Sequence, residues 1–181
     1  MEKNTLESEA REMTKEIVSD ELMSQIEMDS AMIEDVIDDI IKEYSQELDD
    51  YVAFIKKILA DDEKPPTDTE LDDFVMNLST LIYYTSVGCE QLGIRNDIAN
   101  SAYKEAFNIA RNDIDKGTVA DKNVQAELQA RQERIVAIIF EKSYKILKAK
   151  TESATELLSS IKKVITRRMS ETELSRIQVN N

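Results

Sequence analysis

Histidine is absent from this chain of 181 residues, and other residue types on which many enzymes depend are scarce. Without histidine the chain lacks the commonest general base, the Ser-His and Cys-His nucleophile pairs, and the commonest metal ligand. Its three glycines are too dispersed to form a phosphate-binding loop. These absences predict a protein that is not an enzyme and that uses no cofactor and no small-molecule substrate.

A single cysteine, Cys89, excludes an internal disulfide and fits a reducing compartment. We interpret it as a small buried residue. No apolar run approaches the roughly 20 residues that a membrane span needs. The N-terminal residues are acidic and polar, unlike a secretory signal. The sequence therefore predicts a soluble cytoplasmic protein with no membrane partner.

Glycine and proline are too rare for a β-rich fold, because three glycines and two prolines cannot supply closely spaced turns. Ala, Glu, Lys, Leu and Ile dominate instead, and these residues favour long helices. Tryptophan is absent and only 6% of residues are aromatic. We therefore predict an all-α fold of thin bundles or coiled coils, completed by other subunits.

Positive charge is scarce in the N-terminal half of the chain. Residues 1–80 contain 24 Asp and Glu against 7 Lys and Arg, whereas residues 81–181 contain 13 against 16. The densest basic segment is 142–168, where eight Lys and Arg accompany two acids. A basic segment of this kind can contact a polyanion, whereas the acidic half requires water, a basic partner or the chain's own basic end.

Apolar spacing predicts two helices before the first clear break. Residues 5–28 form a weak amphipathic pattern, with apolar positions at Leu6, Met13, Ile17, Leu22 and Ile26. Ser30 is a candidate N-cap for the next helix, in which apolar residues recur in nearly heptad steps from Ile33 to Ile58. Two prolines at 65–66 end that helix.

Two capping boxes predict the starts of the remaining helices. Thr67-Asp68-Thr69-Glu70 begins a helix that either ends at Gly93 or continues, bent there, to about residue 115. Thr118-Val119-Ala120-Asp121 begins a helix with no breaker before Ser170, about 75 Å long at 1.5 Å per residue. A rod of that length must pair with the preceding helix, with copies of itself, or with both.

The predicted architecture is an elongated antiparallel hairpin of long helices at 67–170. An acidic helical region at 1–66 precedes it, and a frayed tail at 171–181 follows it. Because the long apolar stripes exceed what one slender hairpin can bury, we expect a homo-oligomer.

Two groups of cations are candidates for binding a polyanion. The first group, at the predicted corner between the hairpin helices, is Arg111, Lys116 and Lys122. The second group, in the basic segment, is Lys162, Lys163, Arg167 and Arg168. Solvated cations, or cations paired with acids on the 30–60 helix, explain the same pattern. Tyr83, Tyr84 and Tyr103 could stack on unpaired bases, and helix packing explains them at least as well.

The acidic half carries a candidate protein-binding set. It comprises Asp35, Asp38, Asp39, Glu47, Asp49 and Asp50. Clustered carboxylates can occupy the basic surface of a DNA-binding protein. A metal site is disfavoured, because carboxylate-bridged bundles normally add Glu-x-x-His. A simple solvated face is the plainest explanation.

Residues 78–169 resemble the helical hairpin of phage recombination-mediator proteins of the UvsY type. The resemblance lies in Ala102-Tyr103-Lys104-Glu105-Ala106, the corner 116–121 and the closing run 157–165. It implies a small cytoplasmic phage protein that assembles as a ring, binds single-stranded DNA and helps to load a recombinase onto strands covered by single-strand-binding protein. Arg111 matches a DNA-contacting position of that family, whereas Asn108 stands where another cation is expected.

Three functions follow from these patterns. The leading hypothesis is a non-catalytic recombination or replication accessory protein that self-assembles and binds single-stranded DNA, a recombinase or a single-strand-binding protein. The first alternative is an acidic helical adaptor or inhibitor that binds a basic surface, such as that of a host DNA-binding or defence enzyme. The second alternative is a structural coiled-coil oligomer.

Overall fold

The computed structural model describes residues 2–61 and 63–179, with side-chain surroundings for 23–24, 26–28, 30–61 and 63–175. The described chain forms four helices in the order α1 (Glu2–Leu59), α2 (Asp68–Asp113), α3 (Val119–Gln129) and α4 (Arg131–Val179). No strand occurs among these residues, which confirms the all-α prediction. None of the helices in the described ranges combines the length and the apolar character that a membrane crossing requires.

The chain divides into two units, residues 1–39 and residues 40–181. The first unit is the N-terminal part of α1. The predicted boundary near Ser30 is wrong, because α1 continues without a break from Glu2 to Leu59. The Ser30 hydroxyl donates to the Glu34 carboxylate at 3.1 Å, and no proline or glycine interrupts the helix there. The side chains of Leu6, Met13, Ile17 and Leu22 lie outside the described residues.

In the second unit, the rest of α1 packs with α2 and α4 around one apolar core. Each of the three helices contributes buried residues seven positions apart, the spacing of a coiled-coil seam. These residues are Ile41, Leu48 and Ile55 in α1, Leu71, Leu78, Thr85, Leu92 and Ala99 in α2, and Leu147, Ala154 and Ile161 in α4. The near-heptad pattern predicted for residues 33–58 therefore marks the core-facing side of α1 from Ile41 onward.

Contacts at both ends of α2 fix the directions of the helices. Arg168, near the end of α4, donates to Asp68 at the start of α2 at 3.0 Å. Arg134, near the start of α4, donates to the Tyr103 hydroxyl at 3.1 Å. The helices α2 and α4 therefore run in opposite directions. In α1, the Tyr51 hydroxyl donates to the Asp73 carbonyl at 3.4 Å, near the start of α2.

Both predicted capping boxes are confirmed. The Glu70 backbone N–H donates to the Thr67 hydroxyl at 3.3 Å, and the Thr67 N–H donates to the Glu70 carboxylate at 2.7 Å. The same reciprocal bonds join Thr118 and Asp121 at 3.3 and 3.1 Å. Each box satisfies two N–H groups that a helix start otherwise leaves without partners. Gly117, with a φ of 123°, supplies the left-handed residue just before the second box.

The helix α2 passes through Gly93 without a break, which resolves the two sequence-based alternatives in favour of one long helix. Its two glycines instead lie beside aromatic rings. A Cβ atom at Gly88 would lie 2.5 Å from Cδ1 of Tyr44, and one at Gly93 would lie 3.4 Å from Cε2 of Tyr144. Gly88 therefore permits the close approach of α1 to α2.

The long helix predicted from residue 118 is divided at Ala130. This residue has φ −89° and ψ 15°, compared with about −63° and −42° in a regular α-helix. Ala126 and Ala130 are both buried at this joint. Backbone hydrogen bonds continue across it, from Ala130 N–H to the Ala126 carbonyl at 2.9 Å. No glycine or proline marks the joint, so the sequence contains no breaker that would predict it.

Candidate interaction surfaces

The predicted polyanion-binding cations lie in two groups at opposite ends of the second unit. Arg111, Lys116 and Lys122 lie where α2 ends and α3 begins. The other group, Lys162, Lys163, Arg167 and Arg168, lies on α4 at the level where α2 begins, as the Arg168–Asp68 contact shows. The 46 residues of α2 separate the groups by about 70 Å. The structure therefore does not bring the seven cations into one site.

Two cations of the C-terminal group are engaged within the chain. Arg168 donates to the Pro66 carbonyl at 2.8 Å and to the Asp68 carboxylate. Arg167 donates to Glu171, one helical turn away, at 2.8 Å. Lys162 and Lys163 are exposed and have no ion pair among the described residues. One sequence-based alternative was that cations of the basic segment pair with acids on a neighbouring helix. Arg168 forms such a pair, although its partner lies on α2 rather than on α1.

At the corner, the start of α3 already holds a carboxylate. Asp121 accepts hydrogen bonds from the Thr118 hydroxyl at 2.7 Å and from the Thr118 N–H. These hydrogen bonds lower the pKa of Asp121, so its negative charge is stabilised where a phosphate would bind. Arg111 and Lys116 are exposed beside it. The corner therefore presents charges of both signs.

The predicted acidic set divides between the two units. Asp35, Asp38 and Asp39 are exposed in the unit 1–39, and Glu47 and Asp50 are exposed in the unit 40–181. Within the described residues no group of three potential metal-binding side chains occurs.

Asp49 differs from the other five acids of this set because it forms an ion pair with another described residue. Its carboxylate accepts from Lys150 at 2.5 Å and from the Ser45 hydroxyl at 2.8 Å. The pair lies in the wall of an open groove of about 380 Å³ between α1 and α4. Val52, Ile146 and Leu157 supply apolar parts of that wall. This pairing of a basic-segment lysine with an acid of the 30–60 helix agrees with one of the sequence-based alternatives.

Two of the three candidate stacking tyrosines are available on the surface. Tyr83 and Tyr84 are each 66% exposed, with their ring centroids 5.6 Å apart. Tyr103 is instead held in a network at the joint of three helices. Its hydroxyl donates to Glu127 at 2.9 Å and accepts from Arg134, whose guanidinium also lies 5.7 Å from the ring centroid. Helix packing therefore explains Tyr103.

Cys89 is buried, as the sequence predicts. Burial, followed by the negative charge of Glu90, raises the pKa of its thiol. The thiol is therefore a weak nucleophile at neutral pH.

A second apolar surface, which the sequence patterns did not predict, lies on α2 and is here called the outer stripe. Its members are Met76, Tyr83, Val87, Ile94, Ile98 and Ile109. Met76, Val87, Ile98 and Ile109 follow one another at intervals of 11 residues, which is close to three helical turns. All six side chains are at least 43% exposed.

The outer stripe lies on the side of α2 opposite the core. At 3.6 residues per turn, Met76 and Val87 are about half a turn away from the buried residues Leu78 and Leu92. Most surface helices are apolar on one side and polar on the other. The 11-residue spacing was the sequence signal that could have revealed this second apolar face.

No family model, curated protein or solved structure matches this chain. The resemblance to UvsY-type mediators therefore stays a prediction from the sequence. Arg111, which matches a DNA-contacting position of that family, and Asn108, which stands where a cation is expected, are both exposed near the end of α2.

Proposed function

We propose that this chain is a non-catalytic helical interaction protein that binds an α-helix of a partner along the outer stripe of α2. The supporting observation is the position of the stripe, because α2 is apolar both toward the core and toward solvent. A row of exposed apolar side chains that extends over 34 residues, or about 50 Å, with Glu105 as an interruption between Ile98 and Ile109, is typical of an interaction site. The architecture proposed with it is a self-associating helical hairpin built on α2 and α4.

The composition of the stripe supports helix docking in particular. Partner helices are recognised through anchors spaced by three, four and seven residues along one face. Tyr83, Val87, Ile94 and Ile98 are spaced by four, seven and four. The intervening positions on this face include Thr80 and Gln91, which are exposed and uncharged. The exposed acid Glu90 borders the same face, three residues after Val87 and four before Ile94. A partner helix that covers the middle of the stripe therefore has one carboxylate at the edge of the contact.

The test compares two double variants that add the same charge at different places. Val87→Glu/Ile98→Glu disrupts the stripe, whereas Thr155→Glu/Ser159→Glu places two acids on exposed positions of α4. Tagged proteins are purified from the native cells, and the recovered proteins are quantified by mass spectrometry. We expect the stripe variant alone to lose partners at least about fivefold, because a buried carboxylate is costly. Equal recovery with both variants, at equal helix content, would contradict the proposal.

A second candidate function is binding of single-stranded DNA, as in the leading sequence hypothesis. The specific observation in its favour is that Lys162 and Lys163 are exposed and have no ion pair in the described part of the chain. If they contact phosphates, the logarithm of the binding constant falls linearly with the logarithm of the salt concentration. Lys162→Gln/Lys163→Gln should then reduce the magnitude of that slope by about 1.4, or about 0.7 for each lost phosphate contact. Absence of binding to a labelled oligonucleotide at low salt would exclude direct recognition.

A further inference from the structure

We infer that the helix occupying the outer stripe is α2 of a second copy of this chain, antiparallel to the first and centred between Leu92 and Gly93. The inference rests on the proposed function, since it names the partner of the same stripe. The outer stripe has an internal symmetry that an antiparallel pair of identical helices satisfies and that an unrelated helix would not require.

The symmetry follows from the 11-residue spacing. A closed homodimer has a two-fold axis, so each contact between residues i and j occurs twice. With the axis between Leu92 and Gly93, Met76 faces Ile109 of the partner copy, and Val87 faces Ile98 of the partner copy. All four members of the 11-residue series thus find apolar partners in one register. If one helix is moved along the other by 11 residues, at least one end of the series has no apolar partner.

The size of the contact reaches the lower limit of a specific interface. The series covers 34 residues, so the paired region is about 50 Å long. A strip about 10 Å wide, comparable to the diameter of a helix, gives on the order of 500 Å² per copy and 1,000 Å² in total. Specific interfaces begin at about this total area.

The charge of the paired segment also favours a second copy. The chain as a whole has a net charge of −14, which opposes self-association. Residues 76–109, in contrast, contain three acids and two cations, so the paired segment is nearly neutral. The repulsion comes from acids outside the interface and is screened by salt. Dimerisation should therefore become tighter as salt rises, whereas binding of DNA becomes weaker.

Disulfide trapping in a Cys89→Ala background tests both the partner and the register. In a dimer of the Ile94→Cys variant, the Cα atoms of the two cysteines lie about 5 Å apart along the helix axes. A sample of this single variant should therefore cross-link under mild oxidation. Met76→Cys or Ile109→Cys alone separates the cysteines by about 50 Å and should not cross-link. A mixture of these two variants should yield a disulfide-linked heterodimer, at least about fivefold above either variant alone.

The outcomes separate this inference from the proposed function. Cross-linking of Met76→Cys with itself would indicate parallel pairing and would overturn the antiparallel register. If the unmodified protein sediments as a monomer at about 100 µM and the mixture yields no heterodimer, self-pairing is wrong. Loss of partners in the Val87→Glu/Ile98→Glu variant would then still support helix docking to a different protein. Circular dichroism of each cysteine variant verifies that the helices are intact.

Discussion

The two faces of α2 contain similar residues but repeat with different periods. On the inner face Leu71, Leu78 and Leu92 belong to a series spaced by seven, and each is fully buried. On the outer face Met76 and Ile98 belong to a series spaced by eleven, and each is more than 60% exposed. Apolar composition alone therefore does not identify the face of a helix that packs in the core. Their surroundings distinguish the two faces, since among the described residues the inner face packs against α1 and α4, whereas the outer face is exposed.

The largest expected effect is the difference in stability between truncating a residue of the inner face and truncating one of the outer face. Leu92→Ala should lower the free energy of unfolding by about 2–5 kcal/mol, because it leaves a cavity in the core. Ile94→Ala, two residues away, should change it by no more than about 0.5 kcal/mol in the monomer. Urea denaturation at low protein concentration measures both. A loss of several kcal/mol in Ile94→Ala would show that the outer face is structural rather than an interaction surface.

A smaller effect is expected at the two glycines of α2. Gly88→Ala should destabilise the protein by about 1–2 kcal/mol, because overpacking against Tyr44 exceeds the gain in helix propensity. Movement of the Tyr44 ring away from Gly88 would also disturb its cation–π contact with Arg95, whose guanidinium lies 6.0 Å from the ring centroid. Gly93→Ala makes only an ordinary contact and should stabilise α2 by up to about 1 kcal/mol.

A matched control makes the glycine comparison specific. In a Tyr44→Leu background, which removes the ring, the penalty of Gly88→Ala should shrink in a double-mutant cycle. An unchanged penalty would show that the ring contact is not its cause. The double-mutant cycle of Tyr44 and Gly88 thereby tests whether the stability of the inner face depends on the close approach of α1 to α2 at Gly88.

The smallest effect is expected at the capping box that begins α2, which serves the helix as a whole rather than either face. Thr67→Ala should cost about 1 kcal/mol, and Thr67→Ser should cost much less because it keeps the hydroxyl. Backbone and side-chain hydrogen bonds from Thr67 lower the pKa of Glu70. The folded state thus favours the charged carboxylate, which stabilises folding above the ordinary glutamate pKa.

That contribution is lost as pH falls through the lowered pKa of Glu70 in the folded protein. Thr67→Ala should therefore flatten the fall in stability below about pH 4.5, the ordinary value for glutamate. Chemical denaturation at a series of acidic pH values measures the change. An identical pH profile in Thr67→Ala and the unchanged protein would exclude this role of the capping box.

Local signals in the sequence predicted the local features of the fold. Thr67 and Thr118 begin helices because a hydroxyl followed by an acid three residues later satisfies backbone donors, whatever the rest of the chain does. The near-heptad spacing from Ile33 to Ile58 likewise predicted the core-facing side of α1 from Ile41 onward. The joint at Ala130 was not predicted, because no glycine or proline accompanies it in the sequence.

The candidate surfaces were predicted less completely than the helices. The basic segment was identified by composition, but the contacts of Arg168 and Lys150 join residues about 100 positions apart in the chain. Such pairings depend on the register between helices, which single-helix patterns do not contain. The outer stripe was not predicted because apolar residues on opposite faces of one helix reduce the contrast between an apolar and a polar side by which an amphipathic helix is identified.

The different periods of α2 also determine how its neighbours twist around it. A seven-residue repeat corresponds to 3.5 residues per turn, and helices joined along it coil around each other with a left-handed twist. An eleven-residue repeat corresponds to about 3.67 residues per turn and gives a right-handed twist. In a dimer joined by the outer stripe, α2 would therefore wind one way with its own chain and the other way with its partner. In such a dimer the two opposite twists would let a single helix satisfy both sets of contacts without coiling strongly in either direction.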